Sequence, residues 1–240
     1  VTDLKNHPAW DEFRYQYYER LRELCLNPPA GFRVLATPAT AKKSDQPQGM
    51  TYGKCECTWA ANILAKHRPV SVLDVGSYRI FVIGLAAYYK ITALDVRLKE
   101  EKIKLDNETT IFSDAKKMNL DSDSFDAVVS LCTLEHIGLG RYGDEFDLDG
   151  DKKAFSEMRR VLKPGGHLIF TTTITQAEPV IYFNIHKVYS YEMIESFCSG
   201  LTRIDEVYYS HKKMDICKRD EIEDRLGEFS VYCGCWRKEQ

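Results

Sequence analysis

The stretch "SVLDVGSYRIFVIGL", residues 71–85, decides how this chain folds. It opens as a buried strand, "SVLDV", then turns at Gly76 and runs into residues able to form a helix. An apolar run of that length bounded by a glycine turn suits a central parallel strand. A dinucleotide-binding turn would carry three glycines at fixed spacing so that the backbone can approach a pyrophosphate. Here Gly76 is followed by Ser77, Tyr78, Arg79, Ile80 and Phe81, and the next glycine is Gly84. No Gly-Lys-Ser/Thr follows, so a Walker loop is excluded as well. A carboxylate followed by a glycine turn suits a nucleoside cofactor that lacks phosphate, with an acidic group to pair with an ammonium.

Outward from this stretch, strand and helix patterns alternate. "ITALDV", "TTIFSD", "FDAVVSLC" and "HLIFTTTI" read as strands, and "DKKAFSEMRRVL" as a helix with Phe155, Met158, Val161 and Leu162 on one stripe. "KPGG" ends that helix, because Pro164 cannot continue it. "YSYEMIESFCSG" reads as a further helix. "RIDEVYYS" and "EFSVYCGCW" read as two final strands, joined across a charged insertion without a crossover helix and therefore antiparallel. The expected fold is α/β, a doubly wound, mostly parallel seven-stranded sheet of Rossmann-like type with an antiparallel edge strand. Residues 1–66 are expected to form an N-terminal helical extension or cap, and residues 67–240 the main domain. Within the extension, Trp10, Phe13, Tyr17, Leu21 and Leu24 predict an amphipathic helix over Ala9 to Leu26, "CTWAANILAKH" a second helix, and Phe32 to Gly49 a loop.

Composition narrows the function. Lys and Arg number 33 against 36 Asp and Glu, and the net charge of −3 leaves no electrostatic footprint for nucleic acid. No apolar run is long enough to span a bilayer, and "VTDLKNHPAW" lacks the apolar core of a secretory signal. The eight cysteines are then expected to be reduced thiols of a cytoplasmic protein. The pairs "CEC" at 55 and "CGC" at 233 offer four sulfurs. Zinc sites space their cysteines by about two to four residues, so packing is the favoured reading. "DLDGD" has the outline of a calcium loop, but its glycine is misplaced and Met158 stands where the twelfth-position carboxylate belongs. No metal is assigned. Asp149 and Asp151 are expected to open the following helix at its positive end.

In doubly wound sheets ligands bind beyond the carboxyl ends of the strands. That region collects Asp74, Gly76 and Ser77, then Asp95, Ser113 and Asp114, and finally Cys132 to His136. Asp95 lies about 20 residues past the glycine turn, which suits a carboxylate accepting from both ribose hydroxyls. The series "VLDVGS", "ITALDVR", "FSDAKKM", "SFDAVVSLCTLEHI" and "RRVLKPGGHLIFTT" resembles class I S-adenosylmethionine-dependent methyltransferases from about Val70 to Thr173. The departure is in the first motif, where Tyr78 and Ile80 replace the usual second and third glycines. "LDVGSYRIFVIGLAAYYKITALDVR", "EHIGLGRYGDEFDLDGD" and "FNIHKVYSYEMI" further resemble methyltransferase-like proteins of bacterial surface-polysaccharide pathways.

The resemblance implies S-adenosylmethionine as cofactor and S-adenosylhomocysteine as product. It implies that Asp74, Gly76 and Ser77 face the methionine part and that Asp95 holds the ribose. Val96 and Arg97 would border the adenine, Asp114 and Ala115 would meet its amino edge, and Leu131 and Cys132 would sit near the sulfonium. It also implies a sugar or glycan-precursor acceptor. A hydroxyl acceptor benefits from a base, and His136 is the first candidate by position, ahead of His186 and Asp144. His136 could equally order its loop, and His186 could donate to substrate. Arg141, Tyr142 and Asn184 are candidate substrate contacts; Arg141 suits a phosphate or carboxylate, or a bracing ion pair.

Overall fold

The computed structural model describes residues 19–35, 51–97, 105–183 and 185–240. Helix α1 covers residues 19–26. It is followed by β1 (Arg33–Leu35), α2 (Thr51–His67), β2 (Ser71–Val75), α3 (Arg79–Leu85), β3 (Lys90–Leu94), β4 (Glu108–Ile111) and β5 (Phe125–Leu131). Then come α4 (Gly150–Val161), β6 (Leu162–Ile174), β7 (Val180–Tyr182), β8 (His186–Val188), α5 (Tyr191–Phe197), β9 (Leu201–Ser210), β10 (Asp215–Cys217) and β11 (Ser230–Lys238).

Eight strands form the main sheet in the order β10-β9-β11-β6-β5-β2-β3-β4. β2 pairs in parallel with both β3 and β5, and β5 with β6. β11 runs antiparallel to β6 on one side and to β9 on the other. The expected mostly parallel sheet with an antiparallel edge is present, and the edge gains an eighth strand: β10 arises within the charged insertion and pairs antiparallel with β9.

Alternation of side chains across the pleat divides the core in two. Leu73, Val75, Val128, Leu168 and Phe170 pack on one face, with Phe155 and Met158 of α4 and Ile194 of α5. Val72, Val129 and Ile169 pack on the other, with Ala60, Ile63 and Leu64 of α2 and Val82 of α3. Because β2 and β5 are covered on both faces, their sequences are mainly apolar rather than alternating. Helix α2 therefore belongs to the same core as the sheet, and it starts earlier than its "CTWAANILAKH" pattern predicts. Cys233 and Cys235 are buried on β11, and all eight cysteines are free.

A second, three-stranded sheet, β1-β7-β8, lies outside the predicted pattern. Residues 33–35 fall in the expected loop but form a strand, because β7 offers a parallel partner. Leu24 of α1 packs with Leu139, Ile181 and Phe183 beneath this sheet. Trp10, Phe13 and Tyr17 lie outside the described residues. Asp151 stands in the first turn of α4, as expected of an acid that opens the helix. It is also buried at 2% exposure, 2.7 Å from Lys187 Nζ, and it accepts from the Tyr189 hydroxyl at 2.9 Å. This pair ties β8 to α4. Asp149 stands at the helix N-cap position and makes no side-chain capping bond. Among the described residues no helix is long and apolar enough to cross a membrane.

Candidate active site

The carboxyl ends of β2, β3, β5 and β6 open into a cavity of about 860 Å³. Its floor is set by the turn after β2. Gly76 takes a φ of +70°, and a Cβ there would lie 2.6 Å from Thr133 Cγ2, so only glycine lets the turn approach β5 this closely. Ser77 is buried, and its hydroxyl accepts from the Leu131 amide at 3.0 Å, locking the turn to β5. That anchor replaces the constraint that further glycines supply elsewhere. Asp74 Oδ2 accepts from the Ser77 amide at 3.3 Å, while Oδ1 is buried with no partner among the described residues. Burial raises the Asp74 carboxyl to about 7. The site thus contains a buried acid with one oxygen available for a cation.

Asp95 follows β3. Arg97 Nε donates to both Asp95 carboxylate oxygens at 2.9 Å, and Nη2 to the Gly76 carbonyl at 3.0 Å. The same guanidinium lies 4.8 Å from the centre of the Tyr142 ring. Beside it is a recess of about 70 Å³ bordered by Val96, Asp114, Ala115, Thr133 and Ile137. This recess joins the residues that the family resemblance would place at an adenine. Asp114 Oδ1 accepts from the Lys116 amide at 2.8 Å, which orders the loop after β4.

Cys132 directly follows β5 and has a positive φ of 45°, a rarely populated conformation for a residue with a side chain. Its Sγ donates to Glu56 Oε2 at 3.1 Å and its amide to Thr171 Oγ1 at 2.8 Å. Glu56, from α2, is fully buried and also accepts from the Thr171 hydroxyl. The next acid, Glu135, lines the cavity and is raised to about 8 by burial, so it is protonated at neutral pH.

His136 and His186 both border the cavity, their rings 6.1 Å apart. His136 Nδ1 is 2.5 Å from the Ile185 carbonyl oxygen. A carbonyl only accepts, so Nδ1 carries the proton and Nε2 keeps the lone pair. Burial, reinforced by Arg141 and Arg97, lowers His136 to about 4. His186 falls to about 3, again chiefly through burial and then through His136 and Arg141. Both are neutral at physiological pH. Asp144, the third candidate base, is otherwise engaged: Oδ2 accepts from the amides of Gly138 at 2.9 Å and Gly140 at 3.4 Å, and Oδ1 from Tyr142 at 3.2 Å. It braces the loop that carries Arg141 and Tyr142, both of which line the cavity. Asn184 lies outside the described residues.

Sequence reasoning missed Tyr78, Arg79, Thr173, Ile185, His211, Phe229 and Val231, all of which line the cavity. A signal existed for two of them, since His211 directly follows β9 and Phe229 directly precedes β11. Among the described residues no group of His, Cys, Asp or Glu is arranged to hold a metal.

The comparisons agree with this architecture. The N-methyltransferase NodS from Bradyrhizobium japonicum WM9, solved with S-adenosylhomocysteine, superimposes with a TM-score of 0.55 at 16% identity, covering 93% of this chain and 99% of NodS. The 1,6-didemethyltoxoflavin-N1-methyltransferase of Burkholderia thailandensis, solved with its substrate and S-adenosylhomocysteine, gives a TM-score of 0.56 at 14% identity, covering 94% and 90%. The cyclase SpnF gives 0.54 at 15% identity, covering 76% and 81%. What these proteins share with the chain is the fold, which is the Rossmann-like class I methyltransferase fold. No curated protein matches the chain. Residues 70–227 match the family described as "Caenorhabditis protein of unknown function, DUF268", and the chain belongs to that family.

Proposed function

We propose that the protein is an S-adenosylmethionine-dependent methyltransferase that methylates oxygen on a polar small molecule. The observation that carries this reading is the buried Asp74 Oδ1 at the glycine turn, without a partner among the described residues and in one cavity with Asp95 and His136. The residues present fit the cofactor. Asp74 would pair with the methionine ammonium, Asp95 with the ribose hydroxyls once Arg97 yields, and the recess at Asp114 and Ala115 would take the adenine. Leu131 and Cys132 would border the sulfonium.

Bound there, the cofactor supplies an electrophilic methyl group on a cationic sulfur. The chain's own work is to position the acceptor in line, exclude water and receive a proton. His136 is the base of this reading: Nδ1–H is fixed on the Ile185 carbonyl, leaving Nε2 able to take the acceptor's proton. His186 and Tyr142 are proposed to contact the acceptor. A nucleotide-linked sugar or glycan precursor is the favoured acceptor, supported by the sequence resemblance and by the hydrogen-bonding lining of the cavity. A protein using such substrates would work in the cytoplasm. Nitrogen is the rival acceptor atom, since two structural neighbours are N-methyltransferases.

Calorimetry tests the reading. The folded protein should bind S-adenosylhomocysteine with a stoichiometry near one, and Asp74→Asn should weaken it at least tenfold. A folded protein giving no heat with either S-adenosylmethionine or S-adenosylhomocysteine would refute the reading. Methylation of sugar nucleotides, compared with amines and phenols, then decides the acceptor.

A further inference from the structure

Three arginines border the cavity, and they differ in how their charge is met. Arg97 is held by Asp95, and Arg79 forms an ion pair with Glu108. Arg141 has no carboxylate within ion-pair distance among the described residues. Its Nη1 donates to the Ile185 carbonyl at 3.1 Å, and its guanidinium lies 5.4 Å from the centre of the Tyr142 ring. The nearby carboxylate of Asp144 is spent on the backbone amides of Gly138, Gly140 and Tyr142. The Ile185 carbonyl that anchors Arg141 also receives His136 Nδ1, so one backbone oxygen fixes the proposed base and this guanidinium side by side.

The wall around Arg141 continues the pattern. The His186 ring lies 4.9 Å from Phe229, which lies 5.0 Å from His211. His186 Nε2 is buried with no partner among the described residues. A guanidinium offers five N–H groups, of which the Ile185 carbonyl takes one, in a planar fork matched to carboxylate and phosphate oxygens. A neutral polyol would leave that charge unanswered as it excluded water from the cavity, at a cost in affinity.

We propose that the acceptor is an anion, and that Arg141 together with His186 forms the subsite that holds its carboxylate or phosphate next to His136. This rests on the cofactor reading above and narrows its substrate to acidic molecules, such as a sugar acid or a sugar esterified to phosphate. The same chemistry is present on the cofactor's own carboxylate, and the experiment separates the two sources.

The experiment uses the full chain in two titrations. First, S-adenosylhomocysteine binding is measured by calorimetry for the wild type, Arg141→Gln and Arg141→Lys. Second, the melting temperature is followed as inorganic phosphate, or acetate, is added to each protein with and without saturating S-adenosylhomocysteine, chloride holding ionic strength constant. The proposal expects a saturable rise in melting temperature for the wild type. It expects about a tenfold to hundredfold weaker anion response in Arg141→Gln, a smaller loss in Arg141→Lys, and S-adenosylhomocysteine affinity within twofold throughout. Phosphate and acetate acting no differently from chloride would overturn it. So would a tenfold loss of S-adenosylhomocysteine affinity in Arg141→Gln, because the guanidinium would then serve the cofactor. If Arg141→Gln does not fold, Arg141→Lys decides: an anion response equal to wild type overturns the proposal, and a weakened one supports it. Failure of the wild type to bind S-adenosylhomocysteine refutes the cofactor reading alone, since the anion titration of the unliganded protein still reports on the subsite.

Discussion

His136 and Ile185 are joined by a hydrogen bond from the imidazole Nδ1 to a backbone carbonyl, 2.5 Å long, which sets the tautomer of the ring before any substrate arrives. Replacing His136 by Ala should lower kcat by about 10²–10⁴-fold, the usual contribution of a positioned base. Binding of S-adenosylhomocysteine should stay within twofold. Because burial lowers this imidazole to about 4, Nε2 is unprotonated across neutral pH. At saturating cofactor, kcat should then show no loss from His136 near pH 6.5, where an ordinary histidine titrates, and the loss due to this residue should come only as the pH approaches 4. A pH–rate profile of the wild type with its acceptor checks this.

Asp74 should make cofactor binding proton-linked. With its carboxyl raised to about 7, the free protein holds a proton there at pH 6. Pairing with an ammonium favours the carboxylate, so S-adenosylhomocysteine binding at pH 6 should release up to about one proton and tighten as pH rises toward 8. Calorimetry in buffers of different ionisation enthalpy measures the release. Asp74→Asn should abolish it.

The same acids bear on stability. Asp74 near 7 and Glu135 near 8 both lie above the unfolded carboxyl range of about 4, so the native state binds more protons than the unfolded chain between those values. Their contribution falls as pH rises through that range. His136 and His167, both lowered to about 4, and His186, lowered to about 3, act in the opposite sense: their contribution is intact above about 6.5 and is lost on acidification. Above pH 6.5 the histidine contribution is constant and the acids' trend remains, joined near pH 8.5 by the buried thiols of Cys132, Cys233 and Cys235, which burial also raises. The unliganded protein should therefore melt at progressively lower temperature from pH 6.5 to 8.5. The double variant Asp74→Asn, Glu135→Gln should flatten that slope, as thermal melts across the series would show.

Asp151 and Lys187 are both nearly inaccessible and lie 2.7 Å apart. Asp151→Ala strands a buried cation and should cost about 3–5 kcal/mol, whereas replacing the pair with Asp151→Leu and Lys187→Met should recover much of that loss. Urea unfolding of the single and double variants measures both effects.

The central strands were legible in the sequence because burial on two faces leaves mainly apolar runs without a two-residue alternation, as in "SVLDV" and "FDAVVSLC". The positions at Asp74 to Ser77, Asp95 and Leu131 to Cys132 came from the family resemblance and the order of the strands, and the structure brings them to one cavity. β1, β7 and β8 were not legible. Each is three residues long and is held by its neighbours rather than by any local pattern. Asp151 was legible as a helix-opening acid, but its buried pairing was not, because its partner, Lys187, arrives from a different element. The acceptor side was the least legible part. The Ile185 carbonyl that receives His136 is a backbone oxygen, which no side-chain motif records, whereas His211 and Phe229 stand beside the ends of two strands that the sequence did show.

That pairing also governs how the molecule is assembled. Among the described residues β9 joins the rest of the main sheet through β11, although it is translated first. Until β11 emerges and slots in, β6 has a bare flank, and β9 with β10 hangs as a detached hairpin whose open hydrogen-bonding groups invite pairing with other chains. Nascent polypeptides stalled between residues 217 and 230 should accordingly depend most on chaperones and be the most prone to aggregate.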